Sequence, residues 1–131
     1  MNQMIASITE IENVENLHIV TFDFNGTVLK MMSLDLHENI VVGKEVALTV
    51  KPTHIFLAKN VSGMLSVSNK IPAKILSSKN GKLLSSVKVA VKDISLESIM
   101  IGDSSRQMDL KVGDDVTIMI AESELSIAKV L

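Results

Sequence analysis

Side chains that could bind a metal ion or catalyse a reaction are few and widely separated in this sequence. The 131 residues include no cysteine, which excludes disulfides, zinc knuckles and thiol catalysis. His18, His37 and His54 have no second histidine two or four positions away, so they do not predict a metal site. The eight methionines are typical of adaptable packing rather than of soft-metal binding. Phosphate-binding glycine loops, Ser-His-Asp sets and close carboxylate pairs are also missing. We therefore expect a protein that is not an enzyme.

Composition and charge argue against two further classes of protein. The net charge of −2 and an aromatic content of 2% argue against a nucleic-acid binder, which needs a positive surface and stacking side chains. The sequence contains no run of about 18 apolar residues, so it predicts no membrane span. The first residues are acidic and lack a basic segment, so we expect no signal peptide and a cytoplasmic location. Hydrophobic residues nevertheless make up 47% of the chain, with a mean hydropathy of +0.35. Such surplus apolar surface predicts a homo-oligomer, whether dimer, trimer or hexamer.

The sequence repeats itself. Residues 42–59 match residues 112–129 at an offset of 70 positions, with the glycine, the alternating apolar residues and the closing Ala-Lys in register. Residues 2–8 match residues 69–75 at an offset of 67. The difference of three residues falls in a predicted turn, where insertions are tolerated. These matches predict two tandem domains, at residues 1–62 and 63–131.

Each copy alternates apolar and polar residues with period two, which indicates half-buried strands. Asn25-Gly26 is a typical hairpin turn between two of them. A short helix fits between the third and fourth strands, over residues 33–40 and 104–110. The predicted fold class is all-β, with two tandem five-stranded OB-like Greek-key barrels, each containing that helix.

Two segments resemble the molybdate-binding Mop (molbindin) domain of the TOBE group. Residues 66–75, Ser-Val-Ser-Asn-Lys-Ile-Pro-Ala-Lys-Ile, are similar to the family's first strand, Ser-Ala-Arg-Asn-x-Leu-x-Gly-x-Val. Residues 46–55, Val-Ala-Leu-Thr-Val-Lys-Pro-Thr-His-Ile, are similar to its ending, Val-x-Ala-Leu-Ile-Lys-Ala-Ser-x-Val. The resemblance implies a cofactor-like ligand, molybdate or tungstate, bound between domains or subunits of a symmetric oligomer.

The resemblance also implies which residues bind the oxyanion. Molybdate is a dianion whose oxygens only accept hydrogen bonds, so its site should offer main-chain N–H groups, hydroxyls and a cation. The family pattern assigns this role to Lys51, Pro52, Thr53, Ser66, Ser68, Asn69 and Ser104, with Ser33 as the counterpart of Ser104 in the first copy. Ser104 could equally be the N-cap of the short helix.

The chain departs from the family pattern at several of these positions. The arginine of the first strand is replaced by Met1 in one copy and by Ser68 in the other. In the second copy Glu122 follows Ala121, and its carboxylate would repel a dianion. We therefore expect weaker binding and fewer sites than in the family, with Lys51 at their centre.

Two functions remain open at this stage. The first is oxyanion binding for intracellular molybdenum storage, homeostasis or sensing. The second is a protein-interaction module that docks on a molybdate transporter or regulator and keeps only a vestigial oxyanion site. Because the first predicted strand begins at Asn2, we expect no helix-turn-helix and no direct DNA binding. An OB-type nucleic-acid binder is the weakest alternative.

Overall fold

The computed structural model describes residues 2–131, and almost all of their regular secondary structure is β-strand. No helix in this part of the chain is long and apolar enough to cross a membrane. The elements are β1 Asn2–Val14, β2 Leu17–Phe24, β3 Thr27–Ser33, β4 Glu45–Val50, a 3₁₀ turn Pro52–His54, β5 Phe56–Ala58, β6 Asn69–Asn80, β7 Leu84–Val91, β8 Ile94–Ile101, α1 Gly102–Met108, β9 Asp115–Ile120 and β10 Ser126–Val130.

The strands form two five-stranded sheets, ordered β10-β4-β1-β2-β3 and β5-β9-β6-β7-β8. Each sheet takes four strands from one half of the chain and its fifth strand from the other half. The predicted all-β class is confirmed, but the expectation that each barrel contains its own five consecutive strands is wrong. The turn after β4 carries the chain away from its own sheet, so that Phe56 pairs with Met119 and Ser126 pairs with Thr49. The domain boundary between residues 62 and 63 stays a prediction.

A single hydrophobic core joins the two sheets. Apolar side chains at alternate strand positions point inward, as the period-two pattern requires. The largest buried side chains come from both halves and include Phe22, Phe24, Leu48, Ile75 and Ile118. Ile55 and Leu125, which precede the two exchanged strands, are also buried in this core. Each half therefore completes the interior of the other.

The helix predicted for both halves is found in the second half only. There α1 follows β8 directly, and the N–H of Gly102 donates to the carbonyl of Leu83 at 2.8 Å. The first half has turns between β3 and β4 instead. In those turns the N–H of Asn39 donates to His37 Nδ1 at 3.4 Å, a local contact between side chain and main chain that competes with helical hydrogen bonding. Ser104 is not the N-cap of α1: that position is occupied by Ile101.

Two asparagines fasten the sheets to each other in equivalent ways. Asn69 is fully buried; its Oδ1 accepts from the N–H of Lys30 at 2.6 Å, and its Nδ2 donates to the carbonyl of Lys30 at 2.8 Å. Asn2 makes the same pair of bonds with the main chain of Glu97, at 2.8 and 2.9 Å. Both asparagines and both main-chain partners are related by the repeat offset of 67. The halves are therefore related by an approximate two-fold axis.

Lys59, which follows the exchanged strand β5, is held by groups of the second half. Its Nζ donates to the carbonyls of Met108 and Asp109 at 3.2 and 3.0 Å and lies 3.1 Å from Asp114 Oδ2. Cations are favourable near the C-terminus of a helix, where free carbonyls concentrate negative charge. The Lys59 ammonium, together with the N–H of Lys111, holds the pKa of Asp114 below its ordinary value of 3.8.

Lys59→Met should raise the pKa of Asp114 towards its ordinary value. Because folding lowers this pKa, the carboxylate stabilises the fold above its ordinary pKa, and that contribution is lost as pH falls through the folded value. Wild type should therefore lose stability on acidification more steeply than Lys59→Met. Carboxyl NMR titration of Asp114 and urea midpoints at about pH 6 and about pH 3 measure both effects. Lys79→Met, which removes an exposed lysine, is the control, and an Asp114 pKa unchanged in Lys59→Met would contradict the assignment.

Candidate anion-binding site

Two equivalent turns of the two halves meet at one end of the molecule. The N–H of His54 donates to the carbonyl of Lys51 at 2.9 Å, and the N–H of Glu124 donates to that of Ala121 at the same distance. His54 Nδ1 lies 3.0 Å from Glu124 Oε2. These two residues are themselves equivalent, at the offset of 70. Their contact therefore lies on the approximate two-fold axis.

A small cavity opens beside this contact on the side of Lys51. Its volume is about 150 Å³, and its walls are Thr49, Val50, Lys51, His54, Ser123, Glu124 and Ser126. The exchange of β10 creates the site, because it brings Ser126 opposite Thr49 and carries Ser123 towards Lys51. Four residues of the first half and three of the second half line this cavity.

The cavity wall combines one lysine with several hydroxyl groups. Lys51 is exposed and takes part in no ion pair within residues 2–131. The three hydroxyls of Thr49, Ser123 and Ser126 are further possible donors, as is the imidazole ring of His54. The single carboxylate, Glu124, already contacts His54. An ammonium with several hydroxyls is suited to a small anion, and no group of three or more His, Cys, Asp or Glu side chains in the described chain could hold a metal cation.

Lys51 and Thr53, which the family pattern assigns to one oxyanion site, line different cavities in the structure. Pro52 has no N–H, and its carbonyl accepts from Ile55, so its main chain offers no donor to an anion. Thr53 faces a second cavity, of about 450 Å³, which it shares with Ser104. Most of that wall is apolar, including Phe56, Leu84 and Ile101. Two of the sequence-predicted residues thus meet, but in surroundings with few donors.

Ser33 lines a third cavity, of about 550 Å³, that also contains Ser123. Its hydroxyl donates to the main-chain carbonyl of Asp35 at 3.4 Å. Asp35, which carries a carboxylate, also lines this cavity. This cavity lies between residues 31–40 of the first half and residues 123–127 of the second. Ser33 therefore lies apart from Ser104, its counterpart in the sequence.

The three polar residues at the start of β6 have different environments. Ser66 and Ser68 are exposed, whereas the Asn69 amide is buried against Lys30. The N–H of Ser68 lies 3.4 Å from Glu122 Oε1, so a carboxylate already contacts this donor. The carbonyl of Glu122 accepts from the N–H of Met32 at 3.0 Å, which fixes that turn against β3. Their predicted role as oxyanion ligands stays a prediction.

Sequence reasoning missed Thr49, His54, Ser123, Glu124 and Ser126. The repeat did contain a signal for two of them, because Ser123 occupies the position of Thr53 and Glu124 that of His54. Their proximity to Lys51 nevertheless depends on the strand exchange, which no local pattern indicates.

Comparison with known proteins agrees with this architecture. Residues 65–127 match the TOBE domain family. The chain superposes on the cytoplasmic molybdate-binding protein ModG, in a crystal form with molybdate bound, with a TM-score of 0.89 and 20% sequence identity. The superposition covers 96% of this chain and 94% of that one, and it shows a shared fold. No curated protein matches the sequence. The resemblance to the TOBE group noted in the sequence is therefore confirmed for residues 65–127.

Proposed function

We propose that this protein binds a tetrahedral oxyanion, molybdate or tungstate, in the cavity between Lys51 and Ser123. The observation that carries the proposal is the donor set of that cavity: one unpaired ammonium and three hydroxyls in a volume of about 150 Å³. A dianion there accepts hydrogen bonds from these side chains and gains a direct electrostatic attraction to Lys51. Glu124 is the one carboxylate of the wall, and its Oε2 already lies 3.0 Å from His54 Nδ1.

The structural neighbour supports the choice of anion. ModG is described as a cytoplasmic molybdate-binding protein, and its fold extends over nearly the whole of this chain. We propose the same ligand class here, and an intracellular role in molybdenum storage, homeostasis or sensing. Tungstate has the same charge and almost the same size, so it should compete at the same site.

We also propose that the chain works as a homo-oligomer. Several apolar side chains are largely exposed in the single chain, among them Val14 at 75%, Met64 at 101%, Leu83 at 76% and Val112 at 72%. Exposed apolar surface of this extent favours burial against other copies. The mass in solution, measured by light scattering, tests this part of the proposal, and a monomer at all concentrations would contradict it.

Titration calorimetry with molybdate, tungstate, sulfate and phosphate tests the ligand. We expect heat and thermal stabilisation with the first two anions, and saturation at a simple ratio to the chain. The absence of any effect of molybdate and tungstate at millimolar concentration would overturn the proposal. It would favour the alternative of a module that docks on a molybdate transporter or regulator, which a pull-down with ligand-free protein would detect.

Lys51→Met should weaken molybdate binding by about 10- to 100-fold, because a hydrogen bond to a charged group contributes about 1.5–3 kcal/mol. Methionine keeps the length of the side chain and removes only the charge and the donors. Lys79→Met changes the net charge equally at an exposed position of β6 and should leave the dissociation constant unchanged. Equal weakening in both variants would mean that only the overall field of the protein matters.

A further inference from the structure

The approximate two-fold axis generates a second position on the other side of the contact between His54 and Glu124. Adding 70 to the number of a first-half wall residue gives its counterpart in the second half. Subtracting 70 gives the first-half counterpart of a second-half wall residue. The second position is therefore defined by four replacements at the donors: Met119 for Thr49, Ala121 for Lys51, Thr53 for Ser123 and Phe56 for Ser126.

The strand pairing places these counterparts in matching geometry. Thr49 pairs with Ser126 across β4 and β10, and Met119 pairs with Phe56 across β9 and β5. The first pair carries two hydroxyls, whereas the second carries a thioether and a phenyl ring. Side chains directly opposite each other on antiparallel strands lie about 4.5–5.5 Å apart at Cβ, so each pair forms one continuous patch. The backbone is duplicated, but the chemistry of the patch is not.

Charge, like the hydroxyl groups, favours an anion at the first position over the second. Lys51 supplies a positive charge at the first position, and Ala121 supplies none at the second. The next residue is Pro52 in the first half and Glu122 in the second. The Glu122 carboxylate makes no ion pair within residues 2–131. It therefore adds a negative charge without a cationic partner near the second turn, and its Oε1 accepts from the N–H of Ser68 at 3.4 Å.

We infer that each chain binds a single oxyanion at this interface, on the Lys51 side, and that Ala121, Glu122, Met119 and Phe56 close the symmetry-related position. This inference rests on the proposed function and adds to it the residues that set the number of anions bound. Among the counterpart wall residues of the closed side, only Thr53 carries a hydroxyl. A dianion placed there would lose its hydration shell to a phenyl ring and a thioether, without the compensating hydrogen bonds that burial of charge requires.

The test transfers the first-half chemistry to the second half. The variant Phe56→Ser, Met119→Thr, Ala121→Lys, Glu122→Pro reproduces the wall of the open position, and its control carries Ala121→Met in place of Ala121→Lys. Equilibrium dialysis with elemental analysis counts the molybdenum bound per chain. We expect about one molybdenum per chain in wild type, about two in the four-residue variant and about one in the control. The expected number equals the number of positions that have a lysine.

The outcomes separate the inference from the proposed function. Wild type that binds no molybdate overturns the proposed function itself. Two or more anions per wild-type chain leave the function standing and overturn the inference, as does a folded four-residue variant that still binds one. If that variant does not fold, the pair Ala121→Lys, Glu122→Pro replaces it, since both residues lie in a turn outside the strands. We expect the double variant to bind molybdate at the second position with an affinity at least tenfold higher than that of Glu122→Pro alone. Equal affinities in these two variants would overturn the inference.

Discussion

Separated between residues 62 and 63, the two halves should each be unfolded and should fold together when mixed. Each fragment lacks the strand that completes its own sheet, since β10 belongs to the sheet of the first half and β5 to that of the second. Each fragment also exposes core positions filled in the intact chain by Ile55 or Leu125. A unit of about 60 residues buries only about 60% of its unfolded surface even when complete. Without the exchanged strand, each fragment buries too little surface to be stable.

Circular dichroism and thermal unfolding of the separate and mixed fragments measure this effect. We expect a cooperative transition only in the mixture, with a midpoint that rises with fragment concentration, as for any association-coupled fold. An uncut chain with a Gly-Ser insertion at the same point is the control and should fold normally, because the link at residues 60–68 is surface loop. Two fragments that fold separately would contradict the exchange and would support independent domains at residues 1–62 and 63–131.

Asn69→Ala should destabilise the protein by about 2–4 kcal/mol, the second large effect that we expect. The substitution leaves both the N–H and the carbonyl of Lys30 without their partner, and each unsatisfied group near the core costs about 1–3 kcal/mol. Asn69→Asp should be similarly damaging at neutral pH, because its carboxylate oxygen would face the carbonyl of Lys30 where the Nδ2 donor now lies. Urea unfolding gives both values.

A matched variant and a binding measurement complete this test. Asn13→Ala removes an exposed asparagine of β1 and should change the unfolding free energy by less than about 0.5 kcal/mol. A value that small for Asn69→Ala would contradict the role of Asn69 in fastening the two sheets to each other. The molybdate affinity of the folded Asn69→Ala protein then tests the ligand role predicted from the family pattern: an unchanged dissociation constant would limit Asn69 to fastening the two sheets.

Several features of this protein were accessible from sequence because they depend on local patterns. Alternation of apolar residues indicates strands and assigns each side chain to the core or to solvent, since the pleat has a period of two. The duplication is visible as a register over residues 42–59 and 112–129. The family pattern directed attention to Lys51, which does line a cavity between the halves.

Local patterns do not determine which strand pairs with which. The fifth strands of the two halves have similar alternation, so either could in principle complete either sheet, and the choice follows from where the turn at Pro52–His54 directs the chain. The helix is a similar case. Residues 33–40 and 104–110 have comparable composition, yet only the second segment has the contact between Gly102 and Leu83 that holds a helix against the hairpin.

By itself, the sequence indicated a duplicated all-β chain that resembles the TOBE group and has a lysine at the end of a strand. Only the tertiary structure decided that Ser123 and Ser126 lie beside that lysine, and that Met119 and Phe56 occupy the symmetry-related place. The physical reason is that donors for an anion are gathered by long-range pairing between β4 and β10. Sequence separation conceals that pairing, and only the packing of the complete chain selects it.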